Sequence, residues 1–429
     1  MESRKQFRAI KGTRDILPPD SALWNWFEQR VREVLESYNF REIRLPIFEE
    51  TELFARSIGV DTDVVGKEMY TFEDRDESSI SLRPEATASV CRAYIEHGMH
   101  LLPGNQKLSY VGPMFRRERP QKGRYRQFYQ IGAEVLGSSD APAIDAEVLE
   151  MLLVLFRQVG LLNTTLYINS VGCADCRPRY VDLLRQELRK GSDKLGPDSQ
   201  RRIETNPLRV LDSKLPEEQA LIERLPRISD HLCGACRQHF SELKDELNLR
   251  EICFEENWRL VRGLDYYTRT TFEMTATGLG SQNAVCGGGR YDGLVELLGG
   301  PAGVKGIGFA IGTDRAILSL QEGGHLPHLP GLSVFIVRRG AQAYPVALNI
   351  AKKLRACGLV VELPAEETTF KKALGMADRL GARYGLIIAE DEVASGMFTL
   401  KRLADAEQKK LTESDLLEFL ESERRGSGA

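Results

Sequence analysis

Phe115 to Gly137, FRRERPQKGRYRQFYQIGAEVLG, traps a dense positive charge between two apolar segments. Arg116, Arg117, Arg119, Lys122, Arg124 and Arg126 crowd one short run, which Pro120 and Gly123 interrupt. Proline and glycine favour turns, so the pattern predicts two strands joined by a cationic loop, a shape suited to gripping phosphates. A solvated surface is the simpler reading of a basic run, but it would not need the interleaved Phe115, Tyr125, Phe128 and Tyr129. A second stretch, Arg259 to Glu273, RLVRGLDYYTRTTFE, joins arginines to a Tyr-Tyr pair and a following β-rich segment.

The rest of the chain bounds what such a loop can serve. At 429 residues, with 42% hydrophobic and 28% charged positions, it has length for two or three domains and enough apolar content for a core. No stretch approaches a membrane span and the opening MESRKQF is no signal peptide, so cytoplasmic residence is expected. A net charge of -4 gives no global attraction to nucleic acid, so an RNA partner would need local basic surfaces such as Arg116 to Arg126.

The 8 cysteines do not read as a secreted disulfide framework in so long a chain. Cys173 and Cys176 form one CxxC pair, and Cys233 and Cys236 another. Paired CxxC units are candidates for a structural zinc site. Their separation is far longer than in a compact zinc ribbon, and reduced, partly buried thiols are the alternative. Cys91, Cys253, Cys286 and Cys357 read as core or pocket-wall residues.

Helical spacing runs through Ser21 to Tyr38, Leu53 to Ile58 and Ser89 to Glu96. Met69 to Phe72, Ser79 to Leu82, Lys107 to Val111 and Phe128 to Leu136 read as strands, which together predict an α+β layer rather than a βαβ series. Ser170 to Glu256 is charged, rich in helix formers and punctuated by Pro207, Pro216 and Pro226, and reads as a helical insertion. Glu322 to Gly331, EGGHLPHLPG, has linker composition, and its His325 and His328 lack the partners a metal site needs. Beyond it LSVFIV, Ala343 to Ala356, LVVEL, Phe370 to Leu380 and YGLIIA alternate strand and helix as a compact α/β module. Glu423 to Ala429 reads as a frayed tail. CGGGRYDG, Cys286 to Gly293, lacks the GK[ST] ending of a phosphate loop.

FRRERPQKGRYRQFYQIGAE resembles motif 2 of a class II aminoacyl-tRNA synthetase in the form used by histidyl-tRNA synthetases. RGLDYYT resembles that family's histidine-binding signature, GIGFAIGTDRAIL resembles class II motif 3, and KGTRDILPPD resembles the family's opening segment. The class I signatures HIGH and KMSKS are absent. The resemblance implies a class II core of antiparallel sheet and flanking helices over residues 1–325, with the helical insertion at 170–256 helping to hold the tRNA acceptor arm. A linker over 326–331 and an anticodon-binding domain over 332–425 would follow. It also implies ATP as substrate, Mg2+ with the ATP, histidine and histidine tRNA as the other substrates, and a homodimer paired through motif 1 near Tyr38 to Phe54. There Ile43, Leu45, Ile47 and Phe48 would form an apolar strand in need of a partner surface.

Residue by residue, the resemblance assigns Arg116 to the α-phosphate, Arg315 to the γ-phosphate and Arg124 to ATP. Arg262 falls between the substrate carboxylate and the α-phosphate. Glu134 and Tyr267, with Tyr266 beside them, would fix the two imidazole nitrogens. Glu85, Thr87 and Gln130 would meet the α-amino group, with Ala86 completing that turn. Gln121 and Arg124 would face the acceptor end of the tRNA, and the CGGGRYDG glycines would run along the histidine pocket with Tyr291 supporting its wall. Motif 3 here ends GTDR where the family more often has Glu, which places the contacts of Asp314 in question. The chemistry needs no protein nucleophile. A histidine carboxylate attacks the α-phosphorus and a ribose hydroxyl then attacks the acyl-adenylate, so arginines that neutralise and align are the parts required. Two other functions compete: the catalytically silent synthetase-like regulatory subunit of histidine biosynthesis, and a tRNA-binding module without activity. Both predict eroded pocket arginines, and the first usually lacks the C-terminal domain.

Overall fold

The computed structural model describes residues 6–426 apart from 61, 278–282, 325, 328 and 330. His325 and His328 of the linker stretch thus lie outside the described residues. The chain divides into two compact units, Met1–Pro327 and His328–Ala429.

The first unit is built on an eight-stranded sheet in the order Arg41–Glu42, Gln106–Phe115, Gln127–Gly137, Lys305–Gly312, Ala284–Arg290, Thr268–Ala276, Thr164–Ser170 and Glu255–Glu256. The six central strands are antiparallel neighbours, and a short strand is added in parallel at each edge. The basic run is therefore the connection of a hairpin, since the strands on either side pair from Gln106↔Leu136 to Phe115↔Gln127. The helix Asp20–Ser37 buries Leu23, Trp24, Phe27, Val31, Val34 and Leu35, a 3.6-residue stripe. Pro142–Gln158 is covered on more sides, burying residues from Asp145 to Phe156.

Ser170 and Glu256 are both strand residues of the main sheet, and the helices of the insertion lie between them, from Arg177–Lys190 to Gly234–Leu249. Prolines start several of them: Pro178, Pro197, Pro207 and Pro216 occupy first-turn positions, where a missing N–H costs nothing.

Several expectations change. The apolar segment near Pro46 is not one strand: Arg41–Glu42 and Phe48–Glu50 are separate, and the latter belongs to a three-stranded sheet with Ser79–Leu82 and Tyr70–Glu73. Arg83 causes the break, donating to the carbonyls of Leu45 at 3.0 Å and Pro46 at 3.1 Å that a sheet neighbour would otherwise take. Glu322 and Gly323 are helical rather than linker. The helix Thr313–Gly323 ends where Gly324 takes φ of +71°, a left-handed stop that glycine adopts without strain. Cys253 is exposed, because it lies on the connection to the edge strand Glu255–Glu256, whereas Cys91 and Cys286 are buried.

The second unit has a five-stranded mixed sheet in the order Val361–Glu362, Val334–Arg338, Tyr384–Ile388, Phe398–Arg402, Gln408–Leu411. The first three are parallel and the last two antiparallel. Ala343–Ala356 is a helix burying Ala347, Ile350, Ala351 and Leu354. Of the tail Glu423 to Ala429, the part to Gly426 continues helix Glu413–Gly426 rather than fraying, and the Tyr384 phenol donates to the Glu423 carboxylate at 2.8 Å, while residues 427–429 lie outside the described residues.

Candidate active site

One cleft opens on the face of the large sheet, lined by several of its strands and by five local structures that bring the candidate side chains. The turn before helix Thr87–Glu96 brings Glu85 and Thr87; the hairpin brings Arg116, Glu118 and Arg124. Strand Gln127–Gly137 brings Gln130, the segment before Thr268 brings Arg262, Tyr266 and Tyr267, and the start of helix Thr313–Gly323 brings Asp314 and Arg315. Gln130 and Glu134 share a strand face because side chains alternate with period two. Gly132 lies between them on that face, and a Cβ there would stand 2.2 Å from the Tyr110 phenol oxygen.

Glu134 is buried at 1% exposure, with Thr87 Oγ1 donating to Oε1 at 2.7 Å and the Tyr291 phenol to Oε2 at 2.6 Å. Burial pushes its pKa up to about 8, against the pull of those donors. It rests on Gly308, where a Cβ would be 1.6 Å from Oε2. Glu85 is also buried and takes two amides of the helix start, Thr87 N at 2.7 Å and Ala88 N at 3.0 Å. Burial raises its pKa too, opposed by those amides. The Tyr266 phenol reaches Glu85 at 3.4 Å, and the Tyr266 and Tyr267 rings pack at a 47° tilt with centroids 4.8 Å apart. The floor of the cleft thus holds Glu85 and a cluster of phenols, with Glu134 buried directly behind Thr87 and Tyr291.

The rim carries the cations. Arg116 donates from Nε to the Pro84 carbonyl at 2.9 Å and lies over the Phe128 ring at 5.5 Å, so its stem is fixed. Arg124 pairs with Glu118 at 3.1 Å, and Arg315 donates to the Ala284 carbonyl at 2.7 Å. Burial and then the nearby Arg124 charge hold the Arg315 pKa below its usual range. Like charges kept close in a cleft favour a polyanion between them. Arg262 donates to Glu273 at 2.8 Å and packs on Gly287, where a Cβ would be 2.1 Å from Nη2. Arg262 Nε and Gln130 Oε1 are buried without a hydrogen-bond partner in the chain, two polar atoms a ligand could satisfy.

Three expected residues lie apart from the cleft walls, and the first, Glu134, sits behind Thr87 and Tyr291, which do line the cleft. Ala86 is fully buried as the residue capping helix Thr87–Glu96, and Gln121 is exposed at the hairpin tip, where it pairs backbone-to-backbone with Arg124. Asp314 ties two distant segments together, since Oδ1 accepts from Arg14 at 2.8 Å and Oδ2 accepts from the Tyr129 amide at 2.9 Å. Arg14, from the KGTRDILPPD segment, stacks on Tyr125 at 4.5 Å, so the opening segment buttresses the hairpin. CGGGR is a strand, Ala284–Arg290, and its glycines admit Arg262 and the neighbouring strand rather than a phosphate. Tyr110, Glu118 and Glu273 also line the cleft, although sequence reasoning gave them no role. For Glu273 the signal was its place at the end of the stretch Arg259 to Glu273; for Tyr110 sequence offered none.

The four paired cysteines come together elsewhere. Although sixty residues separate the pairs, their Sγ atoms all lie within 4.8 Å of one another.

Residues 12–316 match the family model described as histidyl-tRNA synthetase, and residues 332–423 match that of an anticodon binding domain. The histidine–tRNA ligase of Koribacter versatilis (strain Ellin345) is 52% identical over 423 residues, spanning 96% of each chain. That of Solibacter usitatus (strain Ellin6076) is 52% identical over 415 residues, 97% of this chain and 99% of its own. The apo histidyl-tRNA synthetase structure from S. aureus matches with a TM-score of 0.80 at 37% identity, over 97% of this chain and 100% of that one. Near-complete coverage in both directions, together with a cleft built from the same motifs, places the chain in the histidyl-tRNA synthetase family.

Proposed function

We propose that the cleft activates histidine with ATP and presents the adenylate to the 3′ end of histidine tRNA, each residue acting as follows. The chain is an aminoacyl-tRNA ligase by family, with ATP as substrate and Mg2+ accompanying it, so the residue roles are what the proposal adds. The observation that carries them is Glu134, a buried carboxylate held by Thr87 and Tyr291, both of which line the arginine-rimmed cleft. An imidazole offers one N–H and one lone pair, and Glu134 with Tyr267 supplies partners for both. A wrong side chain would leave those groups unpaired in a dry site, which is costly. Glu85, Thr87 and Gln130 receive the α-amino group.

The histidine carboxylate oxygen forms a bond to the α-phosphorus as the bond to the bridging oxygen breaks and pyrophosphate departs. Arg116 and Arg262 neutralise charge gathering on the α-phosphate, while Arg124 and Arg315 hold the outer phosphates. The terminal ribose hydroxyl then attacks the acyl carbon and AMP leaves. Mg2+ would offset triphosphate charge alongside the arginines. Zinc on the four thiols would serve the scaffold and not this chemistry.

The hairpin tip, with Gln121 and Arg124, reads the acceptor end, and the C-terminal domain contacts the anticodon. Ile47, Phe48 and Phe72 are 44%, 56% and 46% exposed near the motif 1 segment, an apolar surface that supports a homodimer. Among the described residues no helix is long and apolar enough to cross a membrane, which is compatible with cytoplasmic residence. The regulatory-subunit reading is disfavoured by the retained arginines and the anticodon-binding match over 332–423.

Charging of unfractionated tRNA with each amino acid in turn tests the proposal. Histidine alone should become esterified. A folded protein that charges nothing, or charges another amino acid, overturns it.

A further inference from the structure

The CxxC pairs stand at the two ends of the insertion. Cys173 and Cys176 occupy the turn between strand Thr164–Ser170 and helix Arg177–Lys190, and Cys233 and Cys236 open helix Gly234–Leu249. Sγ separations are 3.8 Å for Cys173–Cys176, 3.9 Å for Cys173–Cys233 and 3.8 Å for Cys176–Cys236. Four thiolates at the usual zinc–sulfur distance of about 2.3 Å sit at tetrahedron corners roughly 3.8 Å apart. A disulfide requires about 2.05 Å, and all four cysteines are free.

The surroundings are also those of a metal knuckle. The Cys173 amide donates to Cys176 Sγ at 3.3 Å, the kind of outer contact that steadies a thiolate ligand. Gly172 takes φ of +70° to make the turn, and a Cβ there would be 2.8 Å from Cys176 Sγ, so that sulfur's position depends on a glycine. Arg177 and Arg269 lie within electrostatic range of the thiols and would offset the net charge of a tetrathiolate zinc. Cys176 and Cys236 are buried while Cys173 and Cys233 are half-buried, which leaves a route for an ion to enter.

We propose that Cys173, Cys176, Cys233 and Cys236 bind one zinc ion, which staples the two ends of the insertion and holds the backbone of the histidine-binding segment. Zinc uptake releases the thiol protons to solvent and changes no oxidation state. The link to the cleft is direct. Arg177, next to Cys176, donates to the Tyr267 carbonyl; the Arg269 amide donates to the Gly172 carbonyl at 2.7 Å; and the Val171 amide donates to the Arg269 carbonyl at 2.8 Å. These bonds tie the CxxC turn to the strand that follows Tyr267. Iron is the competing ion for four thiolates, and reduced thiols without metal are the other alternative.

Metal analysis of the purified full chain tests the binding independently of any catalytic role. About one zinc per chain is expected, falling below roughly a tenth of that in Cys173→Ser and Cys233→Ser, since a zinc site of this type needs all its ligands. Cobalt substitution should give the absorption of tetrahedral thiolate cobalt. Should both variants fail to fold, an organomercurial titration of the unmodified protein should release zinc in step with four reacting thiols. Hydrogen exchange tests the clamp: on zinc removal the Val171 and Arg269 amides should exchange roughly tenfold faster or more. A folded, metal-free protein, iron in place of zinc, zinc retained by the variants, or unchanged exchange at those amides would each overturn the proposal.

Discussion

The Arg262 guanidinium packs on Gly287 so closely that a methyl group there would stand 2.1 Å from Nη2, and the nearest atoms to that methyl all belong to Arg262. Because the obstructing group is the end of a flexible side chain, Gly287→Ala should displace Arg262 and leave the sheet intact. Adenylate formation should fall about 100-fold, the cost of losing one preorganised donor, with little change in Tm. Gly308→Ala differs, since its Cβ would also meet the Ala133 backbone carbonyl at 2.6 Å, and it should lower Tm. Single-turnover rates and thermal melts on both variants check the contrast. A fully active Gly287→Ala enzyme would contradict it.

Glu134 makes stability depend on pH with a definite sign. Folding raises its pKa from 4.5 to about 8, so the fold favours the protonated carboxyl. That contribution is complete below the lower value and is lost as pH climbs through the upper one. Glu134→Gln stays uncharged throughout, so its Tm relative to wild type should rise between about pH 5 and pH 9. Melts across that range decide the matter; a flat difference would mean that Glu134 ionises freely in the fold. The same substitution, and Tyr267→Phe, should raise KM for histidine more than KM for ATP, because each alters hydrogen bonding at the imidazole while keeping volume. Retained histidine affinity in either would remove that residue from the imidazole site.

Gln121 stands exposed at the hairpin tip, held by its backbone pairing with Arg124. Gln121→Ala should therefore leave adenylate formation alone and reduce discrimination between tRNAs that differ at the 5′ end of the acceptor stem. Steady-state charging of two such transcripts measures the ratio, and an unchanged ratio would take Gln121 out of the account.

The exposed Ile47, Phe48 and Phe72 should lie in a subunit interface. Sedimentation at micromolar concentration should give a dimer for the unmodified chain and a shift toward monomer for Phe48→Glu. An active monomer would remove the dimer from the proposal.

Sequence revealed most clearly those features whose cause is local. The basic run between apolar segments becomes a hairpin because charge, Pro120, Gly123 and the flanking alternation all act within a few residues. Helix Ala343–Ala356 was legible for the same reason, its buried face recurring at helical spacing. The break at Pro46 was not, because it is enforced by Arg83 from a distant turn. Nor was the pairing of Arg262 with Glu273, or the use of Gly287 and Gly308 to seat Arg262 and Glu134, since these are contacts between strands. Asp314 shows the same limit: its partners Arg14 and Tyr129 are far away in the chain.

Histidine-dependent exchange of pyrophosphate into ATP, with Arg262→Ala run beside the unmodified protein, tests the central claim most directly. The account predicts exchange with histidine and not with other amino acids, reduced about 100- to 1,000-fold in a folded Arg262→Ala. Exchange indifferent to histidine, or near-normal exchange in that variant, would contradict it.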